Sequence, residues 1–144
     1  MRLPSSLRVT GHSSLVFVYG TLRRGFSRHH FLEAERARFL SRGAVRGVLY
    51  DLGKFPGAVT SENAASRVSG EVYRLANPAR TLKLLDHVEG IAPGAPELSL
   101  YRRAMARVTL QNGTEVAAWI YWLNRAHGAK RRISSGDYTK FLNG

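Results

Sequence analysis

Two segments of alternating character, Leu100–Leu110 and Glu115–Leu123, flank Asn112-Gly113. Asn-Gly accepts the left-handed backbone of a tight hairpin turn, whose twist matches that of the strands it joins. The two segments therefore read as one long antiparallel hairpin. In the second arm Val116, Ala118, Ile120 and Trp122 share one face, and Ala117, Trp119 and Tyr121 share the other. An arm apolar on both faces has no side for water, so it belongs inside a closed or covered sheet.

The rest of the chain has to supply the cover. Leu15–Tyr19 is an apolar run rich in β-branched and aromatic residues, which reads as a central strand broken by Gly20. Ala44–Tyr50 alternates into a strand ending at Asp51-Leu52-Gly53, and Phe55-Pro56-Gly57-Ala58-Val59 reads as a turn entering another short strand. Val68–Leu75 has strand spacing. A short helix is expected over His29–Phe39. A second opens at Asn77-Pro78, since Asn is a good N-cap and Pro suits the first helical position. Leu82, Leu85 and Val88 form its apolar face, Leu84 broadens that face, and Gly90 and Pro93 end it. Gly136–Phe141 closes the chain with a turn or short helix. Strands outnumber helices and most neighbours read as hairpin-joined. The expected fold class is a small mixed α/β (α+β) domain built on a twisted, barrel-like sheet with flanking helices. Residues 1–14 are expected as a flexible leader and residues 15–144 as a single domain.

Composition narrows the chemistry. With 144 residues, 44% of them apolar, the chain is long enough for one sizeable core. It has no cysteine, which excludes disulfides, thiolate metal sites and a cysteine nucleophile. No run is long and apolar enough for a membrane-spanning helix, and the first residues lack the apolar stretch of a secretory signal, so a cytoplasmic location is expected. The formal net charge is +12, but the arginines are scattered and the one dense run is Lys130-Arg131-Arg132. That balance concentrates anions near the surface without specifying a partner; no specific nucleic acid is expected. The histidines are adjacent (His29-His30) or isolated (His12, His87, His127), so no metal site is expected.

Two segments carry candidate chemistry. Tyr19-Gly20-Thr21-Leu22-Arg23-Arg24-Gly25 leaves the first strand directly, and backbone N–H groups leaving a strand end can converge on a carboxylate or phosphate. The loop is neither a Walker A loop nor a dinucleotide fingerprint, and an ordinary tight loop is the alternative. Leu84-Leu85-Asp86-His87-Val88-Glu89-Gly90 ends the second helix. Apolar neighbours and the helix C-terminus would both raise the pKa of Glu89 toward a range useful for acid–base work; the alternative is a solvated helix-end carboxylate. Asp86 is a lesser candidate on the same helix. Tyr19, Tyr101 and Tyr121 are core aromatics with a polar handle, and Arg102 or Arg103 could hold a substrate carboxylate.

Taken together, Tyr19-Gly20-Thr21-Leu22-Arg23-Arg24-Gly25 and Leu85-Asp86-His87-Val88-Glu89-Gly90 resemble the signature segments of the gamma-glutamylcyclotransferase superfamily, and within it the AIG2-like, or gamma-glutamylamine cyclotransferase, branch. Leu49-Tyr50-Asp51 with Phe55-Pro56-Gly57, Tyr101-Arg102-Arg103 and Ser135-Gly136-Asp137-Tyr138 extend the resemblance over nearly the whole chain. It implies a barrel-centred fold and an enzyme that cyclises a γ-glutamyl group, releasing 5-oxoproline and an amine without metal or organic cofactor. It implies Glu89 as general acid/base. Tyr19, Gly20, Thr21 and Leu22 would bind the glutamyl α-carboxylate through their backbone, and Tyr101 would line the pocket. Arg23, Asp86, Arg103 and Tyr121 stand as possible supporting residues. The implied partner is a small γ-glutamyl compound. A non-catalytic module binding a small carboxylate on the same fold is the alternative.

Overall fold

The computed structural model describes residues 13–124 and 131–144. His12, His127 and Lys130 lie outside the described residues, as does residues 1–12 of the expected leader. Ser13 and Ser14 are already tied down: Ser13 Oγ donates to the Ala117 carbonyl at 2.9 Å, and the Ser14 carbonyl accepts from Leu75 N at 2.7 Å.

Five strands close into a barrel: β1 (Leu15–Val18), β2 (Arg38–Arg46), β5 (Arg67–Arg74), β6 (Tyr101–Leu110) and β7 (Glu115–Leu123), in the spatial order β1-β5-β2-β6-β7. All neighbours are antiparallel except the closing pair, where β1 meets β7 in parallel with Val16 opposite Trp119. Beside the barrel, β3 (Val48–Asp51) lies between β4 (Pro56–Val59) and β8 (Arg131–Arg132) in a three-stranded sheet. The helices are α1 (His29–Ala34), α2 (Pro78–Val88) and α3 (Tyr138–Asn143). This is the expected mixed α+β architecture.

Alternation along β1 explains the placement of the two apolar clusters. Leu15 and Phe17 enter the barrel with Val45, Val68, Val72, Val108, Ile120 and Trp122. Val16 and Val18 point outward, where Leu32, Tyr73, Leu82, Leu85 and Tyr121 pack over them. Both faces of β1 are therefore dry, as its unbroken apolar sequence requires. Along α2, Leu82 and Leu85 are the buried leucines, and the Asn77 side chain caps the helix by accepting from Arg80 N.

Three sequence expectations are corrected. The helix expected over His29–Phe39 stops at Ala34, because Arg36 adopts a left-handed φ of 57° and β2 begins at Arg38. The strand expected over Ala44–Tyr50 is two strands separated at Gly47. A Cβ there would stand 2.8 Å from the Val59 carbonyl, so glycine lets the chain cross from the barrel to the small sheet. Within the barrel only β6 and β7 pair as a hairpin of consecutive strands; β1 and β2 both pair with β5 instead. Hydrophobic alternation marks strands but carries no information about which distant strand is the partner.

Candidate active site

β1 delivers the chain into Tyr19 at the barrel mouth. The Tyr19 hydroxyl donates to the Tyr121 carbonyl at 2.6 Å and accepts from Ala58 N at 3.1 Å, clipping β7 to β4. Gly20 follows where a Cβ would meet the Pro56 ring at 2.8 and 3.0 Å, so only glycine fits there without displacing Pro56. The loop then turns its carbonyls inward. Gly20 O accepts from Arg23 N at 3.0 Å, Thr21 O from Arg28 N at 3.0 Å, and Leu22 O from His29 Nδ1 at 2.9 Å. In a planar trans peptide the N–H points opposite to the preceding carbonyl, so the Thr21 and Leu22 N–H groups face away from those bonds. Gly20, Thr21 and Leu22 N–H donate to no acceptor among the described residues.

These residues line one wall of a cavity whose empty volume, open mouth included, is about 380 Å³. Phe55 from the turn into β4, Pro56 at the start of β4, and Tyr101, Tyr121, Arg28 and Glu89 complete the lining. Glu89 is the C-cap of α2: its N–H bonds to the Leu85 carbonyl at 2.8 Å, and Gly90, with φ 74°, turns the chain away. The Glu89 carboxylate has no hydrogen-bond or ion-pair partner among the described residues. Burial is the main influence on it and pushes its pKa up to about 7, while the positive charge of Arg28 across the cavity pulls the other way. The tyrosine hydroxyls are committed to protein acceptors: Tyr101 donates to the Pro56 carbonyl at 2.6 Å and Tyr121 to Asp86 Oδ1 at 2.6 Å. Burial holds both phenols well above their usual range and the nearby Glu89 adds to it, so they remain neutral donors.

An unpartnered carboxylate and backbone N–H groups without acceptors thus line one cavity, an arrangement that can exchange a proton and hold an anion. The family profile described as "Gamma-glutamyl cyclotransferase, AIG2-like" matches residues 16–140. The chain belongs to this family. A Vibrio cholerae protein provisionally named a gamma-glutamylcyclotransferase is 36% identical over 124 residues, covering 86% of this chain and 94% of its own. The gamma-L-glutamyl-butirosin B gamma-glutamyl cyclotransferase of Niallia circulans is 33% identical over 121 residues, covering 83% and 72% of the two chains. The crystal structure of a mouse AIG2-like protein matches with a TM-score of 0.64 at 26% identity, over 80% of each chain. The protein is thus a gamma-glutamylcyclotransferase-like enzyme.

Within this cyclotransferase fold the sequence candidates separate. Glu89, Tyr19, Gly20, Thr21, Leu22, Tyr101 and Tyr121 meet in the one cavity. Asp86 does not reach it; it holds the Tyr121 hydroxyl and receives Arg103 Nε at 2.7 Å and Nη2 at 3.1 Å. Arg103 is thereby engaged, with its guanidinium also 4.3 Å from the Trp119 ring centroid, and is not placed to hold a substrate carboxylate. Arg23 turns away as well, buried between Glu71 at 3.8 Å and Asp137 at 3.2 Å. Its Nε has no hydrogen-bond partner, so the first of these is an ion pair without a hydrogen bond. Glu71 also accepts from Arg24 N at 3.0 Å and the Tyr73 hydroxyl at 2.9 Å, which makes it the anchor of the loop.

Sequence reasoning missed Glu71, Arg28, Phe55 and Pro56 as site residues. A lone carboxylate in the strand between Val68 and Leu75 is the one signal that could have marked Glu71. Arg28 resembles any surface arginine until the fold curls its loop over the cavity. Among the described residues no group of three or more His, Asp or Glu side chains is disposed to hold a metal ion, and no helix is long and apolar enough to cross a membrane.

Proposed function

We propose that this enzyme acts on a γ-glutamyl amine or related γ-glutamyl compound and releases 5-oxoproline and a free amine. The observation that carries the reading is the unpartnered Glu89 carboxylate, held near neutrality in its pKa, in the same cavity as the undonated N–H groups of Gly20, Thr21 and Leu22. The name of the Niallia circulans relative, which specifies a γ-L-glutamyl compound, supports the glutamyl half of the substrate.

In this reading the cradle binds the glutamyl α-carboxylate and so fixes the α-amine beside it. The substrate's own amine nitrogen attacks its side-chain amide carbon, forming the ring C–N bond while the carbonyl electron pair moves onto oxygen. Because the nucleophile is intramolecular, curling the substrate supplies much of the rate. Glu89 removes a proton from the attacking nitrogen and returns it to the leaving nitrogen as the original amide bond breaks. A group with a pKa near the working pH can do both. Backbone N–H groups of the loop are the donors available to the developing oxyanion.

The test is 5-oxoproline release from a panel of γ-glutamyl amines, γ-glutamyl dipeptides and glutathione, with Glu89→Gln as control. The expected outcome is release from at least one class, reduced about 10²- to 10⁴-fold in Glu89→Gln, with an unchanged circular dichroism spectrum. A folded Glu89→Gln protein with wild-type turnover would refute the assignment.

A further inference from the structure

Arg28 is the residue of the cavity that the reaction above leaves unused. Its backbone belongs to the loop, since its N–H donates to Thr21 O at 3.0 Å. Its side chain is half-buried and lines the cavity together with Glu89. It is the one cationic side chain among the lining residues. The other arginines near the site are committed, Arg23 to Glu71 and Asp137, and Arg103 to Asp86. The Arg28 guanidinium has neither an ion-pair partner nor a hydrogen-bond acceptor among the described residues. Glu89 senses its charge, yet the two groups do not form an ion pair, so space separates them inside one cavity.

An arginine left unpaired beside a cradle of backbone N–H groups makes a second anion station. Its planar fork matches a carboxylate with two parallel hydrogen bonds. The cradle suffices for one carboxylate. On the reading that this carboxylate is the glutamyl one, we propose that Arg28 is a specificity-determining residue that binds an acid group on the leaving half of the substrate. The preferred substrates are then γ-glutamyl compounds that carry two anionic groups, with γ-glutamyl amino acids favoured over γ-glutamyl derivatives of neutral or cationic amines. Occupation of Arg28 by that acid also offsets its pull on Glu89 and strengthens the base when the right substrate is bound.

The experiment compares γ-glutamyl-alanine with γ-glutamyl-alaninamide, whose leaving halves differ in the acid group alone. For the wild type, kcat/KM favours the acid; in Arg28→Gln the acid-to-amide ratio falls about 10- to 100-fold, carried by KM. Arg28→Lys restores part of the ratio, because it returns the charge without the fork. The same two compounds are titrated calorimetrically into Glu89→Gln and into Glu89→Gln/Arg28→Gln, where the Kd ratio falls to a similar extent. An unchanged ratio in Arg28→Gln, including equal loss on both compounds, overturns the assignment of Arg28 even if turnover depends on Glu89. A calorimetric preference for the acid that depends on Arg28, without turnover of either compound by the wild type, keeps Arg28 and removes the cyclisation reading. If neither compound binds, both fall.

Discussion

At Glu89 the carboxyl that the proposed reaction uses also works against stability. Only its ionised form can take a proton, so kcat/KM of the free enzyme is expected to rise with pH along a limb centred near pH 7, where burial has moved its pKa. Stability runs the other way. The folded state holds the proton more tightly than the unfolded chain, whose glutamates titrate near 4.3. Between about pH 4.5 and 7 the folded protein therefore binds more protons, and stability contributed by the neutral carboxyl is lost as pH rises through the folded value. The loss reaches about 3–4 kcal/mol at most, and Glu89→Gln, which cannot ionise, escapes it. Thermal unfolding of wild type and Glu89→Gln across pH 4 to 9 should show the variant gaining on the wild type until about pH 7 and then holding a constant lead. A pH-independent gap would mean that Glu89 is not desolvated.

The elements around the loop explain how a flexible-looking segment holds its carbonyls in register. Its far end is clamped by Arg23 between β5, through Glu71, and the start of α3, through Asp137, which also caps α3 by accepting from Thr139 N and Lys140 N. These charges are nearly excluded from water, with Arg23 and Glu71 side chains 7% and 8% exposed. Removing Glu71 leaves the buried Arg23 with Asp137 alone, and Glu71→Ala is expected to cost about 1–3 kcal/mol by urea denaturation. It should also raise KM, because Arg24 N and the Tyr73 hydroxyl lose their acceptor along with it. Element existence was legible in the sequence where a local signal was strong, as at Asn77-Pro78 and Asn112-Gly113. The loop and Glu89 were legible as a pair of segments, because each sits at the end of an element whose periodicity is clear. Arg23, Asp86, Arg103 and Tyr121 were legible as possible supports, but what each holds was not. Arg23 and Arg103 carry the charge of substrate-binding residues, but their partners lie 48 and 17 positions away in the chain, and only the folded barrel brings them together.

Across the whole molecule the net charge of +12 has few carboxylates to meet it. The ladder between β2 and β5 sets exposed Arg46 directly opposite exposed Arg67. Like charges facing each other across a strand pair destabilise it. Arg46→Glu should stabilise the protein by about 0.5–1 kcal/mol at low ionic strength, with the gain shrinking in about 1 M sodium chloride. Urea midpoints of the two proteins at both salt levels provide the measurement. A gain that persists undiminished in high salt would point to packing rather than charge.

The parallel seam that closes the barrel has a consequence for how the chain is made. Synthesis proceeds from the N-terminus, so β1 and its attached loop emerge before the strands they pair with. One flank of β1 finds β5 once Arg74 has left the ribosome, but the other flank waits for Trp119, about a hundred residues after Val16. Throughout that interval β1 is an unpaired sheet edge, apolar on both faces, which is the configuration most prone to joining a neighbouring chain. A nascent chain stalled before β7 therefore presents β1 as a sticky margin, and the cavity that Tyr19 and Tyr121 line is closed only when β7 arrives.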